Sequence, residues 1–205
     1  MREFPYKNQE EFKIFKKLNT PQKIQSFINQ IPINFEIGGE TYRSPLYTLR
    51  HNKAHCMEGA LLAAAILWYH GHEPLLLDFK TSEEDEDHVV AVFKQAGLWG
   101  AISKTNHNVL RYRDPVYKNI RELSMSYFNE YFSTKKQKSM REYSRPFSLL
   151  RYPDEWVINR AYAWKIVYDL DDSPHFPAIP KSLVKTLRPV DALEYSSSEP
   201  VEWPK

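Results

Sequence analysis

The chain contains a single cysteine, Cys56, which opens the apolar run Met57-Glu58-Gly59-Ala60-Leu61-Leu62-Ala63-Ala64-Ala65-Ile66-Leu67-Trp68-Tyr69. A helix start offers unpaired backbone N–H groups and the positive end of the macrodipole, and both favour thiolate over thiol. Further along, His88 leads the alternating stretch Val89-Val90-Ala91-Val92-Phe93, which has the period of a strand. A thiol on a helix start and an imidazole on a strand start are the parts of a Cys-His nucleophile pair. The imidazole takes the proton and the sulfur attacks a carbonyl carbon. The bland alternatives are a buried small hydrophobe for Cys56 and a satisfied structural histidine for His88. Five consecutive acids, Glu83 to Asp87, precede His88. The nearest would favour an imidazolium, while the run as a whole reads as a solvated, salt-screened loop.

These residues need elements to position them. Phe12, Phe15 and Leu18 recur at helical spacing, and Thr20-Pro21 gives a cap plus proline for a second helix with the stripe Ile24, Phe27, Ile28 and Ile31. Residues 34–37 read as a short strand, and Ser44-Pro45 repeats the cap signal for a helix over 46–50. The Cys56 helix ends at Gly71, and Leu75 to Phe79 reads as a buried strand. Val89 to Phe93 and Trp99 to Ile102 are expected to pair antiparallel around Gln95-Ala96-Gly97-Leu98. Asp114-Pro115 reads as a break, Ile120, Leu123, Tyr127 and Tyr131 as one amphipathic helix, and Trp164 to Leu170 as a strand. The last dozen residues are expected to form a loosely ordered tail.

Composition bounds what the pair can belong to. With 205 residues and 42% hydrophobic content the chain can bury the core of one domain. Its 28 basic and 26 acidic residues balance to +2, which gives no ground for a nucleic-acid partner, and Lys135, Lys136, Lys138 and Arg141 read as a solvated face. The longest apolar run falls well short of a membrane span. A lone cysteine excludes an intrachain disulfide framework, and the first residues lack a signal-peptide pattern, so the expected location is the cytoplasm. His51, His55, Cys56, His70 and His72 are close in sequence but match no zinc-ligand spacing, so no metal is expected. Glu58 reads as an acid complementing the helix dipole. For an oxyanion hole the Cys56 N–H needs a second donor, and Asn52 and His55 are both open as candidates.

Taken together, Cys56, Ala60, Leu62, Ala65, Leu67 and Gly71, followed by the strand 75–79, resemble the nucleophile helix and next strand of the transglutaminase-like superfamily, a branch of the papain-like cysteine enzymes. His88 to Phe93 is similar to that family's histidine strand, and Trp99 to Ile102 to the strand after it. The resemblance covers about residues 20–110. It implies an α+β fold in which the nucleophile-bearing helix packs on a small antiparallel sheet, with N-terminal helices and a C-terminal helical or irregular extension. The expected organisation is one domain over 1–190, with the extension at 115–190 and a flexible tail at 191–205.

The resemblance also exposes a departure. Family members carry an aspartate at the end of the strand after the histidine, where it orients the imidazole, and here the spacing delivers Ser103. Asn106 is the preferred substitute as a papain-like amide, with Ser103 the weaker alternative; neither supplies an anion. The candidate catalytic set is therefore Cys56, His88, Asn106 and Ser103. The implied function is cysteine-dependent acyl transfer on a peptide or amide substrate, with a hydrolase favoured over a transamidase and no cofactor. The alternative is a catalytically inactive binding module on the same fold.

Overall fold

A computed structural model describes residues 2–198. It opens with a 3-10 helix, Glu10–Lys17, rather than an α-helix. Phe12, Phe15 and Leu18 are spaced by three, the repeat at which side chains eclipse in a 3-10 turn, so all three reach the core. Helix α1, Pro21–Gln30, is capped by Thr20, whose hydroxyl accepts from Lys23 N at 3.3 Å. Helix α2 spans Pro45–His51 and α3 spans Cys56–Tyr69. Every residue of α3 from Met57 to Trp68 is buried. A helix apolar on all sides must lie at the centre of its layer, and here the 3-10 helix, α1 and α2 cover what the sheet does not.

The sheet follows: β1 (Leu75–Lys80), β2 (His88–Gln95), β3 (Leu98–Ser103) and β4 (Arg113–Tyr117), then β5 (Glu142–Ser144), β6 (Phe147–Ser148) and β7 (His175–Pro177). The pairings are antiparallel in the order β4-β3-β2-β1-β5-β7, with β6 also beside β1. β2 and β3 close through Ala96-Gly97, both at positive φ as a two-residue hairpin with strand-matching twist requires. Alternation splits the sheet's faces. Leu76, Ala91, Phe93 and Ile102 meet α3, while Leu77, Phe79, Val90, Val92 and Ala101 meet a second cluster holding Leu123, Tyr127, Phe128 and Tyr131. Each fully buried side chain of this size contributes about 1.5–3 kcal/mol before the cost of ordering it.

Four sequence expectations are corrected. Residues 34–37 form no strand; Ile33 makes one isolated bridge with Ala54, and Glu36 turns the chain at φ 51°. Asp114-Pro115 does not break the chain but lies inside β4, an edge strand whose register with β3 shifts between Trp99 and Ala101, the setting in which a strand tolerates proline. The 120–131 stripe is not one helix: α4 (Ile120–Met125) is followed by a 3-10 turn, Phe128–Glu130, though Leu123, Tyr127 and Tyr131 all stay buried. The strand expected over 164–170 is helix α5, Arg160–Asp171, because Asn159 caps it and Ala163, Ile166 and Leu170 bury one helical face. Within the expected tail, Ala192–Ser198 forms helix α6, and the remainder lies outside the described residues.

Candidate active site

Cys56 is the first residue of α3, with His55 extended as its cap. The helix start is fixed by Glu58, fully buried one turn in. Its carboxylate accepts from His55 N at 3.2 Å, Asn34 Nδ2 at 3.1 Å, Thr41 Oγ1 at 3.3 Å and Arg43 N at 3.1 Å, and pairs with the Arg43 guanidinium at 3.2 Å. Glu58 is thus more than a dipole-complementing acid. It binds the loop 34–43 onto the helix that carries the thiol, and a buried carboxylate is tolerable only with such a complement of donors.

On the sheet side, His88 begins β2 and Ser103 ends β3. Ser103 Oγ lies 2.8 Å from His88 Nε2 and donates to Leu110 O at 2.6 Å. Because its proton goes to Leu110, the hydroxyl accepts from Nε2–H, and Nδ1, on the side of the ring away from Ser103, is the nitrogen left to take and return a proton. Gln25 of α1 holds Ser103 like a partner strand, its Oε1 accepting from Ser103 N at 2.9 Å and its Nε2 donating to Ser103 O at 2.8 Å. Next to it the buried Lys104 donates to Ile31 O at 2.5 Å, beyond the end of α1. Lys104 lies so close to α3 that a Cβ at Gly59 would meet its Cβ at 2.4 Å. Glycine there lets β3 and α3 approach closely enough for the strand-borne histidine to reach the helix start.

The thiol, half-buried, shares its cleft with His55 and His88, and both imidazoles act on its ionisation. Burial alone would push it up, but hydrogen bonding by His55 and His88 and their charges outweigh burial, lowering it to about 6. His55 responds in the opposite sense. Burial lowers it, yet its bond to Cys56, the charges of Cys56 and Glu58 and its contact with Thr41 O at 2.6 Å raise it to about 9. Between those values the resting form is thiolate beside imidazolium, the form in which a cysteine attacks carbonyl carbon.

Both groups open onto a cleft of about 810 Å³, a size that admits a peptide segment or a small molecule. Glu84 to Asp87, Thr105 to His107, Tyr131 to Thr134 and Tyr195 of α6 line it. The acidic loop is tied rather than freely solvated: Asp87 accepts from Thr81 N at 2.8 Å and Glu84 pairs with Lys135 at 2.5 Å.

The structure therefore joins Cys56, His88 and Ser103. Asn106, the preferred orienter, lies on the cleft wall but makes no hydrogen bond to His88 among the described residues. Its turn follows β3, whereas Ser103 is the last residue in register with β2, opposite Val90, and so keeps a fixed distance from the histidine. Asn52 is exposed and ends α2 in the left-handed region, outside the cleft. His70 is committed to Phe15 O at 2.8 Å at the other end of α3. Among the described residues no cluster of histidine, cysteine and carboxylates has the makings of a metal site, and no helix is long and apolar enough to cross a membrane. The sequence reading missed His55 as a thiol partner and Gln25 as the clamp on Ser103. The first was legible as a neighbour of Cys56 that also lies three residues before an acid; the second is a contact across 78 residues that no local pattern encodes.

No protein-family model matches the chain, and no curated protein matches it. Among solved structures the chain is similar to EGTA-treated Legionella pneumophila LapG, with 11% identity, a TM-score of 0.41, and coverage of 76% of this chain and 86% of that one.

Proposed function

We propose that the protein is a cysteine-dependent acyl-transfer enzyme, distantly transglutaminase-like, acting on an amide or peptide. The observation that carries this reading is the thiol sharing a cleft with two imidazoles, one of them bound through Nε2 so that Nδ1 is left to take a proton. With the thiol's proton taken up by His88 Nδ1, the Cys56 sulfur forms a bond to the carbonyl carbon while the carbonyl π pair moves onto oxygen. Collapse of that intermediate breaks the carbon–nitrogen bond, and His88 delivers its proton to the leaving amine. Water, deprotonated by His88, then attacks the thioester; an amine in its place would give transfer. Hydrolysis is the favoured outcome because water alone suffices.

One observation favours the alternative of an inactive binding module: the group behind His88 is a neutral hydroxyl, which orients the ring without stabilising its cation as an anion would. Iodoacetamide alkylation of Cys56 followed against pH separates the two readings. The expected midpoint is about 6. His88→Ala and His55→Ala should each move it upward, since each removes a hydrogen bond and a charge that favour the thiolate. A midpoint near the unperturbed value of about 8.5, unmoved by either substitution, would sink the catalytic pair.

A further inference from the structure

Tyr131 belongs to the same cleft wall as Cys56 and His88. Its side chain is only 3% exposed, packed edge-on to Phe79 with ring centroids 6.4 Å apart, and its main-chain oxygen accepts from Ser139 N at 3.1 Å. Yet the Tyr131 hydroxyl has no hydrogen-bond partner among the described residues. Its neighbour Tyr127 behaves as a buried tyrosine ordinarily does, donating to Arg111 O at 3.0 Å. Of the side chains with an orphaned buried polar atom among the described residues, Tyr131 is the one that lines the cleft. A buried donor left unpaired in the wall of a nucleophile's cleft is spare for whatever the nucleophile acts on.

The electrostatic setting gives that hydroxyl a direction. Burial first, and then the negative charges of Cys56, Asp85, Asp78 and Asp87, hold the phenol well above its usual range, so it stays a neutral donor wherever the thiolate exists. Two donors near the helix start are committed: Asn34 Nδ2 to Thr41 and Glu58, and His55 Nε2 to Thr41 O. The Cys56 N–H, which as the first of the helix has no intrahelical partner, supplies one donor.

We propose that the Tyr131 hydroxyl is the second donor of the oxyanion hole, bonding to the substrate's carbonyl oxygen as Cys56 adds to the carbon. This rests on the acyl-transfer reading above. As the Sγ–carbon bond forms, the π pair passes to oxygen, which accepts from Tyr131 Oη–H and Cys56 N–H; when the leaving group departs, the pair returns and the hydroxyl keeps its proton.

Two reactions of the same thiol test it. p-Nitrophenyl acetate acylates through an oxyanion, and its phenolate leaves without needing a proton; iodoacetamide alkylates by displacement, with no oxyanion. Tyr131→Phe keeps the ring and removes a hydroxyl that bonds to nothing, so the melting temperature should hold or rise. Acylation should fall by at least tenfold, with about a hundredfold expected for a lost oxyanion donor, while the alkylation rate and its pH midpoint stay unchanged. A fall in acylation of less than tenfold, or an equal fall in both reactions, overturns the assignment. A wild-type protein that releases no more p-nitrophenolate than Cys56→Ala overturns the acyl-transfer reading and this assignment with it.

Discussion

Two histidines of this protein sit on strands with their rings held by an oxygen, and they could hardly be used more differently. His175 of β7 bonds through Nε2 to Asp78 of β1 at 3.0 Å, with Nδ1 held by Ser173 O at 2.7 Å. Both side chains are sealed, at 4% and 5% exposure. His88 has a serine in place of a carboxylate, but its other nitrogen has no partner oxygen among the described residues, and it shares a cleft with the thiol. The pair that looks like the acid–base half of a triad therefore works as a fastener between strands at one end of the sheet. The lesson is that an imidazole becomes a candidate base through a free nitrogen facing a nucleophile, not through the strength of the partner behind it.

The strongest way to break this comparison is Asp78→Asn. Removing one member of a buried ion pair leaves the other uncompensated, and about 3–5 kcal/mol of stability is expected to be lost in urea titration, whereas the iodoacetamide profile of Cys56 should not move. A shifted Cys56 midpoint would show that the two sites are coupled and undo the distinction. The pH dependence has a definite sign. Burial raises Asp78, and its bond to His175 only partly offsets that. Burial opposes protonation of His175, but its bonds to Asp78 and Ser173 O more than compensate and raise it. Both groups hold protons more tightly folded than unfolded, so their contribution falls as pH rises. For His175 it is present below the unfolded value of about 6.5 and lost as pH climbs through the raised folded value. Asp78→Asn should flatten that upper slope.

How much of this was written locally in the sequence depends on how far apart the interacting residues are. The order α3, β1, β2, β3 was legible because each element carries its own period, and Cys56 and His88 fall at element starts where spacing alone marks them. The region beyond 110 was misread wherever tertiary context overrode local preference. Trp164 to Leu170 is rich in aromatic and β-branched residues, yet a cap at Asn159 and three residues buried along one face make it a helix. Asp114-Pro115 looks like a break until the sheet order puts it on an edge. In the site, the sequence resemblance leads one to expect an aspartate, and Asn106 draws attention as its substitute because an amide is the stronger polar group. Strand register puts Ser103 beside His88 instead, and it meets a demand invisible in sequence: the oxygen there accepts from Nε2 and also donates to Leu110 O. A hydroxyl does both; a carboxylate has no proton to give. The serine is therefore the residue this arrangement calls for, and its neutrality follows from the loop that ends at Leu110.

That account makes Ser103→Ala the finer probe. The substitution leaves His88 Nε2–H and Leu110 O buried without their shared partner, and about 1–3 kcal/mol is expected to be lost in urea titration, less than for Asp78→Asn. Kinetically the change should be graded. Without Ser103 the ring can adopt either tautomer and rotate, so fewer molecules present an unprotonated nitrogen to the thiol and acylation by p-nitrophenyl acetate should slow. The Cys56 midpoint should rise by less than in His88→Ala, because the imidazole and its charge remain. Ser103→Thr, which keeps the hydroxyl, should retain more of the rate than Ser103→Ala. If Ser103→Ala matched wild type in acylation and midpoint alike, the hydroxyl would be packing only, and His88 would owe its orientation to the strand and to Cys56. The two histidines would then differ more sharply still, one fixed by its oxygen partner and the other by its nucleophile.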